Sequence, residues 1–174
     1  MLIDCSYFTE GPRHILNATP PDKPSGRIPN TDSQAVNLTI NGYIRAYQKP
    51  FLIAVLGTSP ALDMEGYLKN LEHNGDDVKE KGYEAVAELL REPFANYVFF
   101  KILRDANAQS TVKGIVQLKC ANSYVSPIRR QVSVWNEMVD MLKSFSQWSS
   151  TTDCTVKGIA VSANFLTKIN CLNL

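Results

Sequence analysis

Histidine is almost missing from this chain, with two copies in 174 residues. Neither His14 nor His73 has a carboxylate or thiol at a spacing that would define a catalytic pair or a metal site, so both read as surface residues. The four cysteines, Cys5, Cys120, Cys154 and Cys171, form no CxxC pair. That removes zinc ribbons and dithiol oxidoreductases and leaves scattered, reduced thiols as the expectation. No phosphate-binding GxxxxGK[ST], dinucleotide GxGxxG, nucleophile-elbow GxSxG or zinc-protease HExxH string occurs. Asp76, Asp77 and Glu80 lack the alternating oxygen ligands of a calcium loop and read as a solvated helix start. A domain with two histidines has few ways to place a general base, so the expectation is a non-enzymatic protein without cofactor or metal.

Charge of one sign is lacking too. Eighteen Lys and Arg oppose seventeen Asp and Glu, a net charge of +1. No global field therefore draws the chain to nucleic acid or acidic lipid. The longest apolar run, Pro50 to Leu56, is far short of the ~20 residues of a membrane span. Met1 to Asp4 lacks the basic start and apolar core of a signal peptide, so a cytoplasmic protein with no membrane partner is expected.

What is present is enough apolar material for one domain, 44% hydrophobic residues against 20% charged. A surface so poor in charge must rely on Asn, Ser, Thr and Gln or be covered by partners. Residues 1–33 carry Gly11, Pro12, Pro20, Pro21, Pro24, Gly26 and Pro29 and no helical stripe, which predicts an extended N-terminal arm. Tyr7, Phe8, Ile15 and Leu16 are apolar anchors on it that a solvated tail would not need, and they are candidate partner contacts.

A helical core is expected over 34–148. Val36, Ile40, Tyr43, Ile44 and Tyr47 share one helical face, with Pro50 ending or bending that helix and Gly57 offering a left-handed stop. Ser59 and Pro60 open a second helix carrying Leu62, Tyr67, Leu68 and Leu71. Tyr83, Val86, Leu89 and Leu90 form a third stripe, and Pro93 fits the first turn of another helix. Phe94, Tyr97, Val98, Phe100, Ile102 and Leu103 make that helix apolar around most of its circumference, the mark of a buried centre. A loop or hairpin is expected over 106–125, with β-prone Ile115, Val116 and Leu118. Ser126 and Pro127 open the last helix, whose predicted stripe is Ile128, Val132, Trp135, Val139 and Leu142, ending near Trp148.

The tail, 149–174, alternates Val156, Ile159, Val161 and Phe165 with polar residues in β-prone composition. Such a segment needs a sheet to join, within the domain or across a subunit boundary, which makes those four residues candidate partner contacts. Arg129 and Arg130, with Lys101 and Arg104, form a small basic patch. It reads as surface ion-pair partners or as cations facing a neighbour or a DNA-filled channel. The fold expectation is thus mainly α: a bundle of four to five helices with a small β hairpin and extended arms at both ends.

The strings Pro93 to Arg104, Gly114 to Val116, Ala121 to Ser123, Val125 to Pro127 and Val134 to Val139, with Tyr43, Ile44, Tyr47, Pro50 to Leu52 and Leu56 to Gly57 upstream, resemble a helical family of phages and prophages of Bacteroidales. Crass-like phages carry such proteins, and the family is similar to the head-tail connector, or adaptor, proteins that ring the portal vertex. The resemblance spans roughly 37–141. It implies a structural virion subunit, made in the host cytoplasm and assembled into a dodecameric neck ring docked on the portal. Its partners would be copies of itself, the portal protein, an adjacent tail or neck ring and, non-specifically, DNA in the channel. The competing readings are a monomeric protein-binding adaptor and a small enzyme of unknown chemistry.

Overall fold

The computed structural model describes residues 1–21, 31–74, 82–106, 108–111, 114–117 and 127–172. Within them the chain is mainly helical, built from α1 (Thr31–Leu56), α2 (Thr58–Asn74), α3 (Tyr83–Ala106) and α4 (Ile128–Ser149). The backbones of β1 (Ala108–Thr111) and β2 (Gly114–Gln117) run antiparallel between α3 and α4. Most of the loop expected over 106–125, and the acidic trio Asp76, Asp77 and Glu80, lie outside the described residues.

α1 buries Ile40, Ile44, Phe51, Leu52, Val55 and Leu56 along one side. Pro50 was expected to end or bend this helix and Pro93 to start a new one, yet each lies inside a single continuous helix. An interior proline costs about 3 kcal/mol through its missing N–H and its clash with the preceding turn. The side chains flanking both prolines repay that cost: Phe51, Leu52, Leu90 and Phe94 are all fully buried, and breaking either helix would expose them. α1 instead stops at Gly57, whose φ of +84° is the left-handed conformation that terminates helices. The chain reverses there, so that Lys49 on α1 lies 3.7 Å from Glu65 on α2.

α3 is the buried centre, as its composition requires: every residue from Phe94 to Phe100 is inaccessible or nearly so. It runs antiparallel to α1, with Phe51 against Phe94 at 5.0 Å and Tyr43 reaching Asp105. It is antiparallel to α4 as well, since Phe100 meets Trp135 at 5.0 Å while Asn96 meets Met141. The buried side of α4 is Gln131, Val134, Met138, Val139, Leu142 and Phe145. It is therefore rotated from the expected stripe, leaving Trp135 half-buried at its edge and Ile128 exposed. On α2 the buried residues are Pro60, Ala61, Met64, Tyr67 and Leu68, and Leu62 points outward.

Both ends fold onto this bundle. Residues 1–21 are not an extended arm: they make two 3-10 turns, Cys5–Phe8 and Gly11–Arg13, and bury Leu2, Ile3, Cys5 and Phe8. Asp4 caps the first turn by accepting from the Ser6 N–H at 2.8 Å. Arg13 forks between Asn96 Oδ1 at 2.8 Å and Glu92 Oε2 at 2.5 Å. Among its described residues the tail forms no strand; they cross the bundle as irregular chain with one 3-10 turn, Ala163–Leu166. Alternating apolar composition can satisfy a surface groove as well as a sheet, and here the groove offers hydrogen-bond partners that would otherwise be unpaired.

Candidate functional site

The most elaborate side-chain constellation lies where the tail crosses α1, α3 and α4. Tyr47 and Phe51 come from α1, Tyr97 and Phe100 from α3 and Trp135 from α4, because these are the edges of three buried stripes that converge. Phe165 enters among them, its ring 5.9 Å from Phe51, 5.3 Å from Tyr97 and 5.8 Å from Trp135. These are the separations of attractive tilted and edge-on ring pairs. Lys101 lies over the same cluster, its Nζ 5.2 Å from the Tyr47 centroid and 5.0 Å from that of Tyr97. Burial pushes the Lys101 amine below the ordinary lysine range, Arg104 adds to the effect, and Asp105 opposes it. At the rim Asp105 accepts from the Tyr43 hydroxyl at 3.1 Å and from Arg104 Nε at 3.0 Å.

Most polar contacts hold the tail by its backbone. The N–H groups of Ala160 and Ser162 donate to the carbonyls of Leu56 and Ala54, at 3.3 and 2.8 Å. Those carbonyls belong to the last turn of α1, which has no helical donors of its own to meet them. The Trp135 indole N–H donates to the Thr167 carbonyl at 2.9 Å. One residue on, the Asn136 amide takes both backbone groups of Ile169: its Nδ2 donates to the carbonyl at 3.0 Å, and its Oδ1 accepts the N–H at 2.9 Å. Lys168 closes the strip with an ion pair to Asp140 at 2.7 Å. The N-terminal segment is held by the same device, Asn37 donating to the Thr19 carbonyl at 3.0 Å and accepting its N–H at 3.1 Å.

The residues expected to meet partners are thus distributed differently from expectation. Phe8 is at 0% exposure in the core. Tyr7, Ile15, Val156, Ile159, Val161 and Phe165 are half-buried and packed against that core. Their apolar complement lies within the chain itself, because the convergent helix edges leave a groove that the two ends fill. Leu16 alone of the eight remains largely open, at 75%. Arg130 is committed internally: its guanidinium stacks 4.7 Å from the Phe99 centroid and donates to the Pro12 carbonyl. Arg129 is exposed on the first turn of α4. Asn136 and Lys101 as tail-holding and ring-covering groups were missed by sequence reasoning. The available signal for the first was an asparagine, a poor helix former, beside a tryptophan inside an otherwise strong helix.

A second groove, of about 480 Å³, runs between α3 and α4 at their other end, with Leu89, Pro93, Met141, Phe145 and Trp148 as its apolar lining and Glu88 and Glu92 at its rim. Among the described residues no group of three or more His, Cys, Asp or Glu side chains could hold a metal ion. Among them, too, no helix is long and apolar enough to cross a membrane. His14 and His73 are exposed. Cys5, Cys154 and Cys171 are free thiols, and burial together with the nearby Asp4 raises that of Cys5. No protein-family model, curated protein or solved structure matches the chain.

Proposed function

We propose that the chain is a non-catalytic structural subunit of a head-tail connector ring, which docks on a phage portal and joins capsid to tail. The observation that carries the reading is where the family-like strings fall. Pro93 to Arg104 and Val134 to Val139 are the facing segments of α3 and α4, and Tyr43 to Leu52 is the part of α1 packed on them. These three of the resembling segments therefore pack together, which supports the reading. A ring places subunits head to tail, each presenting two different faces, and closes without symmetric self-pairing. Exposed Leu38, Leu62 and Leu89 lie on different helices and supply apolar contacts for such faces. Arg129 would face the channel or a neighbour. In this reading the protein resides at the portal vertex of the virion and in host cytoplasm during assembly.

The second reading, a monomeric protein-binding adaptor, is favoured by the way both ends complete the core at home. One experiment separates them. The chain is mixed with purified portal from the same phage or prophage genome, and the products are weighed by mass photometry. A discrete multi-subunit addition to the portal is the expected result. A chain that stays monomeric and leaves the portal mass unchanged would overturn the ring reading.

A further inference from the structure

The polar groups along the groove between α3 and α4 are almost all hydrogen-bond acceptors. Glu88 and Glu92 stand at its rim. Arg13 already pairs with Glu92, whereas no cation among the described residues pairs with Glu88. Arg91, three residues along the same helix, lines a different hollow with Met1, Asp4 and Tyr7. Pro93 adds a third acceptor. It has no N–H, so the carbonyl of Leu89, four residues earlier, lacks its helical donor, and both residues line the groove. The Ser144 hydroxyl has given its proton to the Asp140 carbonyl at 3.2 Å, which leaves the Trp148 indole as the only free side-chain donor in the lining. Glu84 and Glu88, both exposed, also stand four residues apart on one helix face, where like charges repel. Beside these acceptors lies apolar surface that no described residue covers: Leu89 is 42% exposed, and Met141 and Trp148 are half-buried over a floor of Pro93 and Phe145.

We propose that this groove docks a basic amphipathic helix of a partner protein. Apolar side chains one turn apart on that helix lie against Leu89, Met141 and Trp148, and a lysine or arginine beside them meets Glu88 and the Leu89 carbonyl. Helix-in-groove recognition uses anchors at that spacing, and the roughly two turns of α4 from Met141 to Trp148 give room for two of them. The sign of the rim selects the class of partner. Lysine and arginine bring donors and no acceptors, which is what the rim lacks. Phosphates of nucleic acid or of anionic lipid would bring more acceptors and more negative charge, and the same rim repels them. The chain as a whole carries a net charge of +1, so a preference for a basic helix has to come from this local arrangement. The inference stands apart from the ring reading and is tested on the purified chain without portal.

The probe is a fluorescein-labelled synthetic helix ~16 residues long, with leucines at three- and four-residue spacing and lysines beside them, and a counterpart with glutamate in place of every lysine. Fluorescence anisotropy against the full chain should show the lysine helix binding about ten-fold or more tightly than the glutamate helix. Glu88→Lys should weaken the lysine helix by about ten-fold, and Leu89→Gln should weaken it several-fold, since the first removes the charge partner and the second the apolar wall. Asp32→Lys makes the same charge change at the start of α1, which lies toward the opposite end of α3, and should alter binding by less than about two-fold. Glu88 and Leu89 are both exposed, so these variants keep the fold, which helical circular dichroism checks. Equal binding of the two helices, no saturable binding of either, or the same loss from Asp32→Lys as from Glu88→Lys would overturn the proposal. Self-association of the chain alone that Glu88→Lys abolishes, read by sedimentation velocity, would seat a second copy in the groove and overturn its assignment to a partner protein.

Discussion

Phe8 separates two physical pictures of this protein, and its replacement by alanine gives different results in each. Were the first twenty-one residues a free arm awaiting a partner, Phe8→Ala would leave the isolated chain as stable as before. Here the ring is fully enclosed beside Leu2, Ile3 and Cys5. A phenylalanine of ~150–250 Å² taken out of water contributes roughly 4–6 kcal/mol at ~25 cal/mol per Å². Alanine retains part of that, and lost side-chain entropy offsets roughly 1 kcal/mol. Phenylalanine-to-alanine changes in cores accordingly cost about 3–5 kcal/mol. The ceiling is local, for if the void is too costly residues 1–21 detach from α1 and α3 and the loss cannot exceed their docking free energy. Urea unfolding followed by circular dichroism should lower the extrapolated stability by about 3 kcal/mol, and melting should fall by roughly 10 °C for a chain of this length. Hydrogen exchange then tells the two routes apart: detachment deprotects residues 1–21 alone, whereas a retained void weakens α1 and α3 as well. A change under about 1 kcal/mol, the scale of an ordinary surface substitution, with exchange unaltered, would refute the placement of Phe8 in the core.

Other outcomes follow from single contacts. Arg13→Ala leaves the buried Asn96 without its guanidinium partner and should cost about 1–3 kcal/mol, read as faster proteolysis within residues 1–21; unchanged cleavage would speak against the clasp. Tyr7, Tyr43 and Tyr97 are all raised, burial being the largest cause for each. The unfolded chain loses these protons near the ordinary tyrosine value of about 10, and the folded chain holds them longer, so stability is full below that pH and falls above it. Lys101 is lowered and works in the opposite sense, gaining as pH rises toward the ordinary lysine range, but it stands against three tyrosines. The urea midpoint should therefore drop between roughly pH 9.5 and 11, and a midpoint that rises there would contradict the burial of the tyrosine hydroxyls. Under native conditions iodoacetamide should label the exposed Cys171 well before Cys5, which is buried and raised by burial and Asp4, with peptide mapping to score each site. Comparable rates at the two would mean that the N-terminal turns open readily.

By itself the sequence determined the helical class, the left-handed stop at Gly57, the central place of α3 and the end of α4 near Trp148. Each follows from a local signal: spacing at three and four residues, a glycine free to take positive φ, or a helix apolar on all sides. Only the tertiary structure decided that Pro50 and Pro93 stay inside their helices, because burial of Phe51, Leu52, Leu90 and Phe94 outweighs a local penalty that sequence patterns register alone. It also decided which face of α4 is buried, and that Phe8 and Phe165 complete their own chain. Apolar side chains on an irregular segment announce that they need cover. The groove that supplies it exists only once α1, α3 and α4 have converged, and its two amide clips, Asn37 and Asn136, stand 18 and 33 residues in sequence from the backbone they hold.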